Sequence, residues 1–267
     1  MQTLVPDHES FDPLDCVKAS EVQRSEKRVV STNTTLFPIV ESQVLSRSPR
    51  GQNFRGRVLV LFGCGGHARS VADIYLQRFP GSSILFVDKN GTSNEKILGF
   101  PVQPFLPEPM DNCFIAIGDN GKRKSVWEAL RSSKKLDPII ARTALVSPYA
   151  EIGRNVFIGN LAHIGPEAKV GHNTIVNTGS IIEHEVVVGD HCHIGPKAVI
   201  SGRCKVGNLV FLGVGATVKD SIHIGSNIII GAGAVVVKDL TEPGIYVGCP
   251  AKLLGILTSR APRNMEK

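Results

Sequence analysis

The segment NTGSIIEHEVVVGDHCHIGPKAVISG places His184, His191 and His193 beside Glu183, Glu185 and Asp190. A solvent-facing imidazole next to a carboxylate suits general-base catalysis, because the carboxylate stabilises the imidazolium formed as a proton arrives. His184 and Glu185 make such a pair, although the same two residues also fit an ordinary polar surface. His191 and His193 stand at i and i+2, which in a strand point the same way and suit a metal. No further ligand set accompanies them, so no metal is expected. Cys192 and Cys204 are nucleophiles on paper, but both fall where the surrounding pattern places small inward residues. That makes them packing thiols and favours direct transfer over a covalent intermediate.

A second chemical feature lies upstream, in VLVLFGCGGHARSVADIYLQRF. It reads as a buried strand (Val58 to Phe62), a turn with Gly63, Gly65 and Gly66, and an amphipathic helix from about His67, with Val71, Ile74, Tyr75 and Phe79 inward. Free N–H groups at a helix start hold anions. The spacing is GxGG, not GxGxxG, so a nucleotide-linked ligand is expected here and NAD is not; a bare tight turn is the alternative. Lys238 and Lys252 are further groups able to meet phosphates, although most such lysines are only solvated.

Two kinds of frame must hold these groups. From Val146 to Val236 an aliphatic residue returns at every sixth position, followed in most cases by Gly. A period of six fits neither a helix nor a lone strand, but it fits a β-solenoid of short strands in 18-residue coils, with Gly or Asn easing the corners. The Gly rule lapses at Asn177, Glu183, Ser201 and Lys219. Such departures mark where a loop, a subunit contact or a site is to be sought. His184 and His193 are half a coil apart, so they project from opposite sides of one chain and share a site only across a subunit interface.

Ahead of the solenoid, strands at Ile84 to Val87 (ending in Asp88) and Phe114 to Ile117 alternate with helical segments, the second through Val126, Trp127 and Leu130. Ile139 to Ile140 reads as a last short strand. This is a small parallel sheet of βα units, whose ligands sit at the carboxyl ends of the strands. Gly65, Gly66, His67, Asp88 and Gly118 occupy that edge. The organisation expected is an extension over 1–55, a Rossmann-like α/β domain over 56–141, a solenoid over 142–254 and a tail over 255–267.

Composition fits this frame. Aromatic residues make up 6% of the chain against 27 glycines, which suits a narrow solenoid filled by Val, Ile and Ala. The net charge of +6 comes without a basic run interleaved with aromatics, which speaks against nucleic acid. Six cysteines without a CxxC pair read as free thiols, and no apolar run reaches the ~18 residues of a membrane span. A cytoplasmic protein is expected.

The hexads resemble the left-handed parallel β-helix of the hexapeptide-repeat acyltransferases. More closely, VLFGCGGHARSVADI, the FVD after the second strand, AIGDNGKR, NTGSIIEHEVVVGDHCHIGPKA and GIYVGCPAKLL resemble the group of sialic-acid O-acetyltransferases and nucleotide-aminosugar N-acetyltransferases. The match runs from about Arg57 to Leu254. It implies a homotrimer that uses acetyl-CoA, with active sites between subunits. It also implies His184 as general base with Glu185 raising its basicity, His193 near the thioester, and Gly202 offering its N–H to the oxyanion. Val214 and Ala232 are implied as backbone contacts to CoA. Gly65, Gly66, His67, Asp88, Lys89, Gly118 and Asn177 are implied for the nucleotide-sugar substrate. Ala68, where relatives can carry Gly, departs from the pattern. An O-acetyltransferase acting on a sugar hydroxyl, and a non-catalytic scaffold built from the same repeat, remain the alternative readings.

Overall fold

The computed structural model describes residues 57–92, 94–105, 112–132 and 134–256. The expected extension over 1–55 and most of the tail lie outside the described residues. Strand β1 (Val58–Phe62) alternates its side chains between two apolar layers, as period-two burial requires. Leu59 and Leu61 pack with helix α1 (Gly66–Arg78), whereas Val60 and Phe62 face helix α2 (Asn120–Leu130). The sheet is thus covered on both sides. Its order is β3-β4-β2-β1-β5, with β2 at Ser83–Val87, β3 at Lys96–Ile97, β4 at Phe100–Gln103 and β5 at Cys113–Ile115.

Two differences from the sequence reading have physical causes. The sheet is mixed, because β3 and β4 pair antiparallel across Leu98 and Gly99, both with positive φ (52° and 84°). A two-residue turn of that kind is what a tight hairpin needs. Ile139–Ile140, expected as the last strand of the βα region, instead pairs with Phe157–Ile158 in the solenoid. The solenoid ladder therefore starts before Arg142.

Downstream, two-residue strands recur every six residues and stack into three parallel faces, each paired with the strand 18 residues on. This is the left-handed β-helix of hexapeptide repeats that the resemblance implied. Inside it Val, Ile, Ala and the two cysteines at 192 and 204 are fully buried. Each buried Val or Ile contributes about 2 kcal/mol.

The glycines do a different job from the one expected. Left-handed φ values fall three residues after each aliphatic from Ile152 to Ile230, and most of the residues there are not glycine: Asn155, Glu167, Asn173, Glu185 and His191 lie between 52° and 60°. Gly directly after the aliphatic is needed for clearance. A Cβ on Gly165 would stand 2.7 Å from the His184 nitrogen, and one on Gly213 would stand 2.5 Å from that of Ala232. Successive coils approach too closely at those corners for any side chain.

The βα region docks on one solenoid face, where Phe157 and Ile175 join the apolar layer under α1. Arg123 from α2 completes the joint. It is fully buried, and its guanidinium donates to the carbonyls of Asn173, Ile117, Gly118, His191 and Cys192 and to Asn120 Oδ1, at 2.7 to 3.0 Å. Burial pushes its pKa down to about 10.

Candidate active site

The joint leaves a cleft of about 1280 Å³ between the strand ends of the sheet and the solenoid. Gly65, Gly66, His67, Asp88, Gly118 and His193 all line it. The starts of α1 and α2 border it as well, so two sets of helix-terminal N–H groups and Lys122 face the same space. Asp88 is held by two donors: the Asn90 N–H at 3.0 Å and the Cys64 thiol at 3.2 Å. Burial, and then this carboxylate, push the Cys64 thiol up to about 12. Lys89 is not among the lining residues.

His193 forms the solenoid wall of the cleft. Its strand partners are Ile175 and Phe211, and its ring lies edge-on to Phe211 at 5.1 Å. Nδ1 lies 3.4 Å from the Gly118 carbonyl and Nε2 lies 3.2 Å from the Asn177 amide nitrogen. Both contacts suit one neutral tautomer, with Nδ1–H donating and Nε2 accepting. Burial, reinforced by the Arg123 charge, pushes the ring down to about 4. Asn177, a departure from the Gly rule, thus orients His193. His67 lies beside it, edge-on to Phe157 at 4.9 Å, with Nε2 buried and unpartnered among the described residues. Burial holds this ring well below the usual histidine range.

His191 does not share a side with His193. It sits in a corner turn with φ 60°, and its Nδ1 accepts from Asn173 at 2.8 Å. The i, i+2 argument for a shared metal fails there because the residues straddle a turn and a strand. Among the described residues no group of three or more His, Cys, Asp or Glu could hold a metal.

His184 lies elsewhere, on a solenoid corner, and does not line the cleft. Its Nδ1 is 2.9 Å from Glu185 Oε2, and its side chain is 42% exposed. Glu185 takes the left-handed corner conformation, φ 59°. One coil on, Gly202 packs under the ring: a Cβ there would stand 2.5 Å from Cε1 and 2.6 Å from Nε2. The three departures at Glu183, Ser201 and Lys219 are 18 residues apart, so they form one column beside this corner. Gly165, one coil before Glu183, still obeys the clearance rule, so this corner escapes it only from Glu183 onward.

Backbone bonding separates the corners. On the column of His172, Asp190 and Asn208 each N–H is capped by the side chain one coil on, at 2.6 to 2.9 Å. Among the described residues the N–H groups of His184, Gly202, Val214 and Ala232 have no such partner. Val214 is 55% exposed and Ala232 is also exposed. Two rails of unspent donors therefore run along the solenoid, one beside His184. Cys192 and Cys204 are buried with raised thiol pKa, the first to about 12, as packing residues would be. Lys238 and Lys252 are exposed.

Sequence reasoning missed Arg123, Asn173 and Asn155, which join the two halves. Asn155 bonds the Ile115 N–H at 2.8 Å and the Asn173 side chain at 2.8 Å. The available signal was polar residues at 155, 173 and 191, spaced by one coil on a face that must meet the βα region.

The family of PglD N-terminal domains matches residues 58–130, and bacterial transferase hexapeptide repeats match 149–184 and 167–202. No curated protein sequence matches the chain. Among solved structures, a mutant of perosamine N-acetyltransferase from Caulobacter crescentus, in complex with CoA and GDP-perosamine, is 33% identical, with 75% of this chain and 98% of that one covered and a TM-score of 0.68. The acetyltransferase domain of PglB from Neisseria gonorrhoeae, in complex with acetyl coenzyme A, is 31% identical over 74% of this chain and 100% of that one, with a TM-score of 0.68. WeeI from Acinetobacter baumannii is 25% identical over 74% and 100%, with a TM-score of 0.69.

Proposed function

The chain belongs to the hexapeptide-repeat sugar acetyltransferases that carry a PglD N-terminal domain, and we propose that it acetylates the amino group of a nucleotide-linked amino sugar with acetyl-CoA. The observation that carries this reading is the His184 pair. With Nδ1–H donating to Glu185 at 2.9 Å, the lone pair of Nε2 is free over Gly202 to take a proton. The sugar amine attacks the thioester carbonyl carbon, and its proton passes to Nε2. The carbonyl oxygen gains the negative charge and meets the unspent N–H of Gly202. The intermediate then collapses with loss of the CoA thiolate, which takes up a proton. Val214 and Ala232 offer backbone donors to the pantetheine arm.

The cleft supports a nucleotide-linked acceptor rather than a free sugar. Its helix-terminal donors and Lys122 suit a diphosphate, and Asp88 suits the N–H groups of a base. His184 and the cleft are separate within one chain. We infer a trimer in which the base of one subunit serves the cleft and CoA rail of its neighbour. The exposed Leu161 (70%) and Val214 (55%) on solenoid corners support burial against another copy.

The test is His184→Ala, assayed with acetyl-CoA against UDP- and GDP-linked 4-amino sugars, with sialic acid as the hydroxyl acceptor. A loss of roughly 10²- to 10⁴-fold with the oligomer intact is expected. Unchanged turnover would overturn the reading, and preferred use of sialic acid would move it to O-acetylation. A thermal shift with CoA separates both from a non-catalytic scaffold.

A further inference from the structure

We propose that Asp220 is a positioning residue for His184, a second carboxylate that faces the imidazole across the side-chain space left empty at Gly202 and stabilises the ring as it becomes charged. This rests on the reading of His184 as the base and extends it to a residue two coils away.

His184, Gly202 and Asp220 are each 18 residues apart, one coil per step. The absent Cβ of Gly202 would stand 2.6 Å from His184 Nε2 and 3.2 Å from Asp220 Oδ2. The two side chains therefore converge on the same small volume from opposite sides. Asp220 is not free to swing away. Arg203 Nη2 donates to both its oxygens, at 2.8 and 2.9 Å, and the Ser221 hydroxyl donates to Oδ1 at 2.6 Å. The hydroxyl thus loads Oδ1, while Oδ2 stays over Gly202. The Ser221 hydrogen bond, followed by Arg203 and the proximity of His184, holds the Asp220 carboxyl below its usual range.

The consequence is chemical. When Nε2 takes a proton from the acceptor amine, the new charge is flanked by Glu185 on the Nδ1 side and by Asp220 on the Nε2 side. Arg203 offsets part of this field, and the corner is open to water, so the effect is smaller than that of a buried pair. It acts only once the ring is charged, so it belongs to the rate and not to ground-state binding. Glycine at 202 is what permits it, since any larger residue would stand between the two groups.

The experiment is a double-mutant cycle with Asp220→Asn and His184→Ala, read as kcat and KM for acetyl-CoA and the amino sugar. Asp220→Asn should lower kcat about tenfold with both KM values within about twofold, and Asp220→Glu should recover most of the loss. In the His184→Ala background, Asp220→Asn should change the residual rate by less than about twofold. An unchanged kcat, a raised KM at unchanged kcat, or an equal loss in both backgrounds would overturn the proposal. Should Asp220→Asn lower the melting temperature sharply, Ser221→Ala removes only the orienting hydroxyl; kcat must then fall in the same direction, and an unchanged kcat overturns the proposal. A fully active His184→Ala would sink the base assignment itself, whereas an inactive one with an unaffected Asp220→Asn would sink only the role of Asp220.

Discussion

Gly202→Ala tests the geometry of the base with one methyl group. The added Cβ would stand 2.5 Å from Cε1 and 2.6 Å from Nε2 of His184. Ordinary carbon contacts begin at about 3.5 Å, so the ring must retreat by about 1 Å. A retreat of that size also pulls Nδ1 off Glu185, whose bond is 2.9 Å. Misplacement by about 1 Å costs roughly 10²-fold in rate. The backbone itself tolerates alanine, because Gly202 is outside the left-handed region, and the N–H proposed for the oxyanion is kept. Stability should therefore hold or rise by up to about 1 kcal/mol. Steady-state kinetics beside thermal melts should show kcat down about 10²-fold, KM for acetyl-CoA nearly unchanged and a melting temperature that is unchanged or slightly raised. A variant whose kcat stays within about threefold of the parent would refute the reasoning, since the ring cannot both move and remain the working base.

Two further outcomes concern stability. Arg123→Met should cost at least about 4 kcal/mol in denaturant unfolding, because three buried and two half-buried carbonyls and Asn120 lose their donor at once; a cost under about 1 kcal/mol would mean the joint does not depend on it. Burial holds His193 at about 4 and lowers His67 and His191 from their ordinary range, so below pH 6.5 the unfolded chain takes up protons that His193 refuses in the fold. The stability this contributes is fully present above pH 6.5 and falls as pH drops toward about 4, by about 1.4 kcal/mol per pH unit from His193, with His67 and His191 acting in the same direction; His193→Gln should make the slope shallower in a pH series of denaturant melts, and an unchanged slope would refute it.

What the sequence revealed followed from what each residue has to satisfy. The hexad register was legible because an inward aliphatic has one solution per coil, and any miss would bury a polar group or expose an apolar one. The strand, glycine turn and helix from Val58 to Arg78 were legible for the same local reason. The hairpin at Leu98 and Gly99 was not, since a leucine with φ 52° carries no turn signature. Ile139–Ile140 was misassigned because a two-residue apolar strand looks the same in either sheet; its partner, Phe157–Ile158, decides. Arg123 was invisible for a different reason. In the sequence it is one cation among many, and only the carbonyls of a folded solenoid corner make it a buried joint.

The glycine rule carries the same lesson into the site. Read as conformational relief, it says nothing about where chemistry belongs, because the left-handed positions are filled by Asn, Glu, Lys and Arg as readily as by Gly. Read as clearance, it separates corners stacked too tightly for a side chain from the column of Glu183, Ser201 and Lys219, where side chains fit. His184 and Asp220 are the residues that follow two members of that column. Gly202, between them, must stay bare for the two to face each other. A regular solenoid thus fixes the distance between a base and a second carboxylate by its coil spacing alone, and a glycine in the middle decides whether they meet.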